Sequence, residues 1–327
     1  MLMKFDVSYN YIISIENLLS VWQNFLKGKS KRKDVELFQL NLSDNIICLH
    51  NELTNKQYIH GGYSVFYISD PKSRIIHKAS VKDRIVHHLL YKELHQYFDS
   101  RFIYDSFSCR DYKGTHKAIE RFRNFAGKVS KNNTKQCWVL KCDIKKFFAN
   151  IDHKILKEVL KRYLVDNRVL KLFFTIIDSF NSGENGKGLP LGNLTSQLLV
   201  NVYMHEFDMY LKQELRVKYY IRYADDFVIL SDDKDYLTGL LNSLEKFLNE
   251  KLKLNLHPDK VYIKTYSSGI DFLGWINYPY HKQLRSVTKR KIMRGLTWYP
   301  ARSTINSYRG LLNHGNTFKI VKKIKSY

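Results

Sequence analysis

The sequence lacks the features of several protein classes. It has no run of 18 apolar residues, so no membrane-spanning helix is expected. Its start, MLMKFDVSYNYIISIENLL, has no basic segment followed by an apolar one and is not interpreted as a signal peptide. The cysteines show no CxxC spacing, which argues against zinc and favours buried thiols in a reducing cytosol: Cys48, Cys109, Cys137 and Cys142. We therefore expect a cytoplasmic protein with no membrane partner.

Acidic residues are also scarce. The chain has 54 Lys+Arg against 31 Asp+Glu, a formal net charge of +23. Residues 272–327 contain no acid and twelve basic side chains. Aromatic residues interleave with these charges: Phe272, Trp275, Tyr278, Tyr280, Trp298, Tyr299, Tyr308 and Phe318. The net charge indicates a polyanionic partner, either nucleic acid or an anionic membrane surface. The mixture of aromatic and basic residues favours nucleic acid, with a solvated basic tail as the alternative, and the lack of acids excludes a nuclease site built on several carboxylates at this end.

The 327 residues, 44% of them hydrophobic, are enough for about two domains or one divided body. Apolar spacing predicts helices over residues 15–26, 82–98, 115–125, 154–164, 169–180, 194–215 and 236–252. Strands are predicted over residues 137–144, 261–264 and 270–276, a hairpin over 219–230, and loops over 27–34 and 181–193. This order predicts an α+β fold with helices on one face of a sheet.

Three aspartates interrupt apolar strands. Asp225 and Asp226 lie within YYIRYADDFVIL, and Asp143 ends the strand in CWVLKCDI. If these strands are neighbours, the carboxylates converge at one edge of the sheet. Such a cluster binds Mg²⁺, and two ions can activate a 3′-hydroxyl and stabilise a leaving pyrophosphate. The sequence therefore predicts nucleotidyl transfer; the alternative is a turn in which Asp is merely a favoured residue.

DIKKFF and YADD resemble motifs A and C of reverse transcriptases. In the family's order, residues 71–90 resemble the fingers motifs, 188–208 motif B, 254–263 motif D and 269–275 motif E, the primer grip. The resemblance implies a right-hand polymerase. Its parts would be an N-terminal helical extension at 1–60, fingers at 61–135, a palm at 136–275 with a fingers insertion at about 165–190, and a basic helical thumb at 276–327.

The resemblance also implies the catalytic residues. Asp143 and Asp225 would bind the metal directly, Asp226 would support them, and the carbonyl of Ile144 would complete one ion's shell. The ions would be two Mg²⁺, with Mn²⁺ as a substitute. Lys260 would protonate the departing pyrophosphate, unless it is a plain surface lysine.

Further residues would bind the nucleotide. Arg74 would hold the triphosphate, because its guanidinium donates in a fixed fork. The family's second basic residue, six positions earlier, is Ile68 here, so Lys72 or Lys78 could substitute; surface charges are the alternative. Phe148 would exclude a ribose 2′-hydroxyl and so select deoxynucleotides, and Phe147 is expected in the core; the alternative is that both are core residues.

Motif B and the primer grip complete the implied site. Gly192 would allow close approach of the backbone to the nucleotide, and Gln197 belongs to the same implied nucleotide-binding site. Leu191 stands where accurate relatives carry Gln, which fits error-prone copying, or it simply packs. Phe272, Leu273, Gly274 and Trp275 would position the primer end, or form a plain core strand. His87 and His88, on an apolar helix, are interpreted as structural.

Leu191-Gly192 followed by Ser196-Gln197 resembles the subgroup found in bacterial and phage diversity-generating retroelements, within the group II intron-like superfamily. These enzymes copy a template RNA into cDNA with errors at adenines. The implied partners are a structured template RNA, the primer or cDNA, dNTPs and a small basic helical accessory protein. Two alternatives remain: a related reverse transcriptase of anti-phage defence that copies a noncoding RNA, and a degenerate RNA-binding subunit, which the retained acids argue against.

Overall fold

The structure, a computed structural model, describes residues 4–69, 73–295, 302–318, 320 and 321. The chain divides into two compact units. The first unit consists of Met1–Tyr104, Ile144–Arg216 and Lys246–Asn255, and the second of Asp105–Asp143, Val217–Glu245 and Leu256–Tyr327. Each unit is thus assembled from three separate stretches of sequence.

The described residues form helices and short antiparallel strands. The helices are α1 (Tyr9–Ile12), α2 (Ile15–Leu26), α3 (Lys33–Leu40), α4 (Leu42–Thr54), α5 (Val81–Asp99), α6 (Thr115–Val129), α7 (His153–Tyr163), α8 (Asn167–Asp178), α9 (Leu194–Met209), α10 (Lys234–Leu252), α11 (Ser286–Gly295) and α12 (Arg302–Leu312). The strands are β1 (Tyr63–Ile68), β2 (Arg74–Ala79), β3 (Trp138–Asp143), β4 (Tyr220–Tyr223), β5 (Asp226–Ser231), β6 (Tyr262–Thr265), β7 (Ile270–Phe272), β8 (Trp275–Asn277) and β9 (Lys282–Leu284).

Helices α2, α5 and α9 form the centre of the first unit, where α5 packs against the other two. The sequence of α2 shows why this helix forms. The Ser14 hydroxyl caps its first turn by accepting a hydrogen bond from the Asn17 amide at 3.2 Å. Apolar residues then recur at helical spacing and are buried: Leu18, Val21, Trp22 and Phe25. The hairpin of β1 and β2 completes this unit.

The second unit contains a four-stranded antiparallel sheet in the order β4-β5-β3-β6. The interior residues of the two central strands, β3 and β5, are buried, and all of them except Lys141 are apolar. Helix α6 packs against β4 and β5. A second, three-stranded sheet has the order β7-β8-β9.

The predicted helices and strands are present, with ends that differ by a few residues. Two of these elements need correction. Residues 270–276 are not one strand, because Leu273 and Gly274 have positive φ values (52° and 88°) and turn the chain between β7 and β8. The helix predicted over 194–215 is α-helical only to Met209 and continues as a π-helical turn.

The prediction of buried thiols is correct for only two of the four cysteines. Cys137 and Cys142 are buried, but Cys48 is exposed and Cys109 is partly exposed. Helix α4 buries Ile46, Leu49 and Leu53, and this spacing leaves the Cys48 side chain facing outward.

No helix in the described ranges is long and apolar enough to cross a membrane. Several residues used in the sequence analysis lie outside the described residues: Pro71, Lys72, Trp298, Tyr299, Lys319, Lys322, Lys323 and Lys325.

Candidate active site

Sheet register in the second unit brings the predicted carboxylates together. Strand β3 ends at Asp143, β5 begins at Asp226, and these two residues are direct partners in the antiparallel pairing. Partners in such a pair project on the same face of the sheet. Asp225 immediately precedes Asp226, in the turn that joins β4 to β5. We call Asp143, Asp225 and Asp226 the carboxylate edge.

A buried arginine stabilises the turn of the carboxylate edge. Ala224 has a φ of 55°, a left-handed conformation that residues other than glycine adopt at some cost. The Arg222 side chain is fully buried, and its Nη1 donates a hydrogen bond to the Ala224 carbonyl at 3.2 Å. Its Nη2 donates to the Ser106 hydroxyl at 3.1 Å. The turn that presents Asp225 is therefore supported from the interior of the unit.

Two lysines form ion pairs with the carboxylate edge. Lys260 Nζ lies 2.9 Å from Asp143 Oδ1, and its side chain is 43% exposed. Lys141 Nζ lies 2.6 Å from Asp226 Oδ1, and its side chain is only 7% exposed. Each ion pair offsets part of the repulsion between the neighbouring carboxylates and part of the cost of burying them.

Burial dominates the electrostatics of the acids. It raises the pKa of Asp226 to about 6, although the Lys141 ammonium opposes this shift. Burial also raises the pKa of Asp225, and the negative charge of Asp143 adds to that effect. A divalent cation at this edge would relieve both effects, because it stabilises the ionised carboxylates.

The donor chemistry of the carboxylate edge fits Mg²⁺ or Mn²⁺, because both ions prefer oxygen ligands. Within the described part of the chain, no three Asp, Glu, His or Cys side chains are already arranged around one point as metal ligands. Asp143 and Asp226 instead contact lysines. The residues that would hold an ion are Asp143 and Asp225, with Asp226 in support.

Predicted nucleotide-binding residues meet in the first unit. Lys78, Gly192 and Gln197 line a cavity of about 310 Å³. Four cationic side chains lie around it: Lys29, Arg32, Lys78 and Arg84. We call it the basic cavity; its apolar lining includes Phe25, Phe66 and Ile76.

The charge of the basic cavity is poorly balanced. Asp34 forms ion pairs with both Lys78, at 2.7 Å, and Arg84. Burial and the positive charges of Arg84 and Arg32 lower the pKa of Lys29. The clustered like charges repel one another, and an anion in the cavity would relieve that repulsion. His87 and His88 also line it, but burial lowers their pKa values to about 3 and 4, so these side chains are neutral near pH 7.

The motif B loop packs closely on strand β2. Gly192 has a φ of 103°, and a Cβ atom there would lie 2.6 Å from Ile76 Cγ2. The His77 amide donates to the Leu191 carbonyl at 3.0 Å, and Asn193 Nδ2 donates to the His77 carbonyl at 2.8 Å. Glycine is required here by both conformation and space.

The remaining predicted residues of the first unit are placed individually. Arg74 is exposed at the start of β2, where it is the register partner of Ile68. Phe147 is buried, as expected, and Phe148 is half-buried. Ile144, directly after β3, has a buried side chain. A role for Arg74, Phe148 or Ile144 stays a prediction.

The residues of the predicted primer grip differ in exposure. Phe272 and Trp275 are buried in the core of the second unit, where both pack among apolar residues. Leu273 and Gly274 form the turn between them and are half-buried. The Trp275 ring therefore packs in the core and is not free to stack on a base. The residues of this segment that are open to contact with a primer are Leu273 and Gly274.

Sequence reasoning missed the cations that support the site. Lys141 and Arg222 each interrupt an apolar strand, in WVLKCD and YIRY, and that interruption was the available signal. Lys29 and Arg32 lie in the connection between α2 and α3, within the predicted loop 27–34, and the packing of α2 and α3 against α5 brings them together with Arg84.

Comparison with known proteins shows which family this chain resembles in sequence. Residues 69–277, more than half of the chain, match the family model described as reverse transcriptase (RNA-dependent DNA polymerase). Protein YkfC of Escherichia coli K12 is 24% identical over 309 residues, which are 83% of this chain and 79% of YkfC. The group II intron-encoded protein LtrA of Lactococcus lactis is 23% identical over 206 residues, which are 42% of this chain and 34% of LtrA.

A solved structure supports the fold. The apo telomerase of Candida tropicalis, truncated from the C-terminal domain, aligns with a TM-score of 0.50 at 14% identity, over 70% of this chain and 55% of that chain. The predicted α+β right-hand polymerase fold is thereby confirmed. The chain spans about a third of LtrA and 30% of the putative COX1/OXI3 intron 2 protein of Saccharomyces cerevisiae, which is 21% identical over 276 residues.

Proposed function

This chain belongs to the reverse transcriptase (RNA-dependent DNA polymerase) family, and we propose that it copies a dedicated structured RNA template into cDNA. The observation that carries the proposal is the register that sets Asp143 opposite Asp226, with Asp225 in the adjoining turn. Clustered carboxylates on neighbouring strands are what metal-assisted nucleotidyl transfer requires.

Asp143 and Asp225 would hold the metal, with Asp226 in support and the Ile144 carbonyl in one ion's shell. When bound, Mg²⁺, or Mn²⁺ in its place, would activate the primer 3′-hydroxyl and stabilise the charge of the departing pyrophosphate. The support for these roles is that burial and mutual repulsion make the acids costly unless a cation accompanies them.

Lys260 would donate a proton to the departing pyrophosphate. Its ammonium lies 2.9 Å from Asp143, and 43% of its side chain is exposed. An exposed lysine can leave one acceptor for another without a large change in its solvation. This combination of proximity and freedom suits a general acid.

In the first unit, Arg74 would bind the triphosphate, and Phe148 would exclude a ribose 2′-hydroxyl. Leu191 offers no side-chain hydrogen bond to the sugar, which fits error-prone copying. Gly192 would let the backbone approach the incoming nucleotide closely. The primer end would rest on the turn of Leu273 and Gly274.

The basic cavity would bind the template strand. Four cationic side chains line it, and two of them, Lys78 and Arg84, form ion pairs with Asp34. Aromatic and aliphatic side chains lie beside these charges, and this mixture favours single-stranded nucleic acid over a small inorganic anion.

The proposed biological role is diversification by a retroelement, with errors at template adenines and a small basic helical accessory protein. The division into N-terminal extension, fingers, palm and basic thumb, and the cytoplasmic setting, belong to the same proposal. Leu191-Gly192 and Ser196-Gln197 are the residues that support the subgroup.

Primer extension on an RNA template with Mg²⁺ and dNTPs tests the activity. We expect Asp225→Asn to lower the rate roughly 10³-fold or more. The matched control is Glu250→Gln, which removes a carboxylate charge from an exposed position of α10 and should leave the rate unchanged. Extension by Asp225→Asn at the wild-type rate would contradict the site assignment.

Sequencing of the cDNA tests the biological role. Misincorporation concentrated at template adenines supports the diversity-generating role. Accurate synthesis, or synthesis restricted to one noncoding RNA, would instead support the defence role.

A further inference from the structure

Lys141 occupies an unusual place for a lysine. It lies within the central strand β3, between Leu140 and Cys142, which are both fully buried. Its register partners are Val228 on β5 and Tyr262 on β6. A buried ammonium in such surroundings is costly unless a partner compensates it, so a lysine here requires a specific interaction.

The partner of Lys141 is one of the three aspartates. Lys141 Nζ forms an ion pair with Asp226 Oδ1 at 2.6 Å, and it donates a hydrogen bond to the Cys142 carbonyl at 3.4 Å. Lys141 and Asp143 are two residues apart on one strand and therefore share a face of the sheet, and Asp226 is opposite Asp143. The ion pair thus runs diagonally across the two strands that carry the acids.

The other lysine at the carboxylate edge differs in its freedom. Lys260 contacts Asp143 from a side chain that is 43% exposed, whereas the Lys141 side chain is 7% exposed and the Asp226 side chain 17%. Lys141 cannot exchange its partner for water without burying an unpaired charge. We therefore expect its contact with Asp226 to persist, unlike the more exposed contact between Lys260 and Asp143.

We propose that Lys141 is a positioning residue that holds the Asp226 carboxylate in one orientation and keeps it out of direct competition with Asp143 and Asp225 for the metal. This inference rests on the proposed function, because it assigns the roles within the same site. The two successive aspartates would then differ in role because only Asp226 has a permanent ammonium partner.

The test is a double-mutant cycle on cDNA synthesis. Lys141→Met keeps the length of the side chain and suits its apolar surroundings. We expect it to lower kcat about 10-fold to 100-fold with little change in the KM for dNTPs, because the released Asp226 carboxylate would disturb the metal-holding carboxylates while nucleotide binding stays intact. In the Asp226→Asn background the same substitution should cause no further loss. Lys141→Arg, which retains a cation, should restore part of the rate.

A metal-binding readout separates this inference from the proposed function. Mn²⁺ binding, followed by electron paramagnetic resonance at pH 8 without substrate, should be roughly 3-fold to 10-fold tighter in Lys141→Met, because a positive charge beside the carboxylates is removed. Thermal unfolding identifies a variant that does not fold, in which case Lys141→Gln, which also removes the positive charge, replaces Lys141→Met in the cycle and in the Mn²⁺ titration.

The outcomes are distinct. A wild-type kcat in Lys141→Met, or a loss that adds in full to that of Asp226→Asn, overturns the inference. If the wild-type chain makes no cDNA, the proposed function fails, and the Mn²⁺ titration alone decides: unchanged affinity in Lys141→Met overturns the role of Lys141, and tighter binding supports it.

Discussion

The carboxylate edge of the second unit and the basic cavity of the first unit are opposite in charge and different in construction. At the edge, sheet register places three acids, and buried or adjacent cations hold two of them individually. Around the cavity lie four cations, of which Lys78 and Arg84 form ion pairs with the same acid, Asp34. The acids are thus individually placed, whereas the cations act as a group. Loss of one acid should stop chemistry, and loss of one cation should weaken binding by a step.

Substitution of Phe148 should change which nucleotide is used without stopping synthesis. Phe148→Val removes the ring that we expect to meet the ribose 2′-hydroxyl. The preference for dNTPs over rNTPs, measured as the ratio of kcat/KM values, should fall roughly 10-fold to 100-fold. An unchanged ratio would mean that Phe148 is only a packing residue, like its buried neighbour Phe147.

Neutralising two cations of the basic cavity should weaken RNA binding in a salt-dependent way. For Lys29→Gln/Arg32→Gln we expect the Kd for single-stranded RNA to be about 5-fold to 20-fold higher. The slope of log Kd against log salt concentration should fall by about 1 to 1.5, because fewer counterions are released on binding. The control is Lys31→Gln/Lys33→Gln, which makes the same change of charge at exposed positions that do not line the cavity. Equal losses in both variants would show that total charge, not the cavity, binds RNA.

Gly192→Ala should have the smallest effect, on stability. The φ of 103° and the 2.6 Å approach of a Cβ atom to Ile76 Cγ2 both oppose a side chain. We expect a loss of roughly 1–3 kcal/mol in the free energy of unfolding, measured with denaturant. Gly62→Ala is the control, because a Cβ atom there meets nothing within 4 Å. A neutral result for Gly192→Ala would show that the motif B loop is not tightly packed on β2.

The sequence predicted the carboxylate edge better than the basic cavity, for a physical reason. An acid at the end of an apolar strand is a local signal, and strand pairing needs only two such strands to be neighbours. Asp143 and Asp225 were therefore predictable. The cavity depends on how α2 and α3 pack against α5, because that packing brings Lys29 and Arg32, in the connection between α2 and α3, to Arg84 on α5.

Three further residues stand out in the sequence because they interrupt apolar strands: Lys141, Arg222 and Gly274. Lys141 and Arg222 stand inside apolar strands, where a charge needs a specific partner. Gly274 marks the turn that divides residues 270–276 into two strands, and its φ of 88° is a conformation that glycine adopts readily. A buried charge or a glycine inside an apolar run is thus the most informative exception in a strand pattern.

The most direct test of the account measures primer extension and RNA binding side by side in Asp225→Asn and in Lys29→Gln/Arg32→Gln. We predict that Asp225→Asn loses extension roughly 10³-fold while its Kd for RNA stays within about 2-fold of wild type, because RNA affinity depends on cations. The double variant should lose affinity and regain extension at high RNA concentration. Retained extension in Asp225→Asn, or an equal loss of both properties in both variants, would contradict the separation of chemistry from binding.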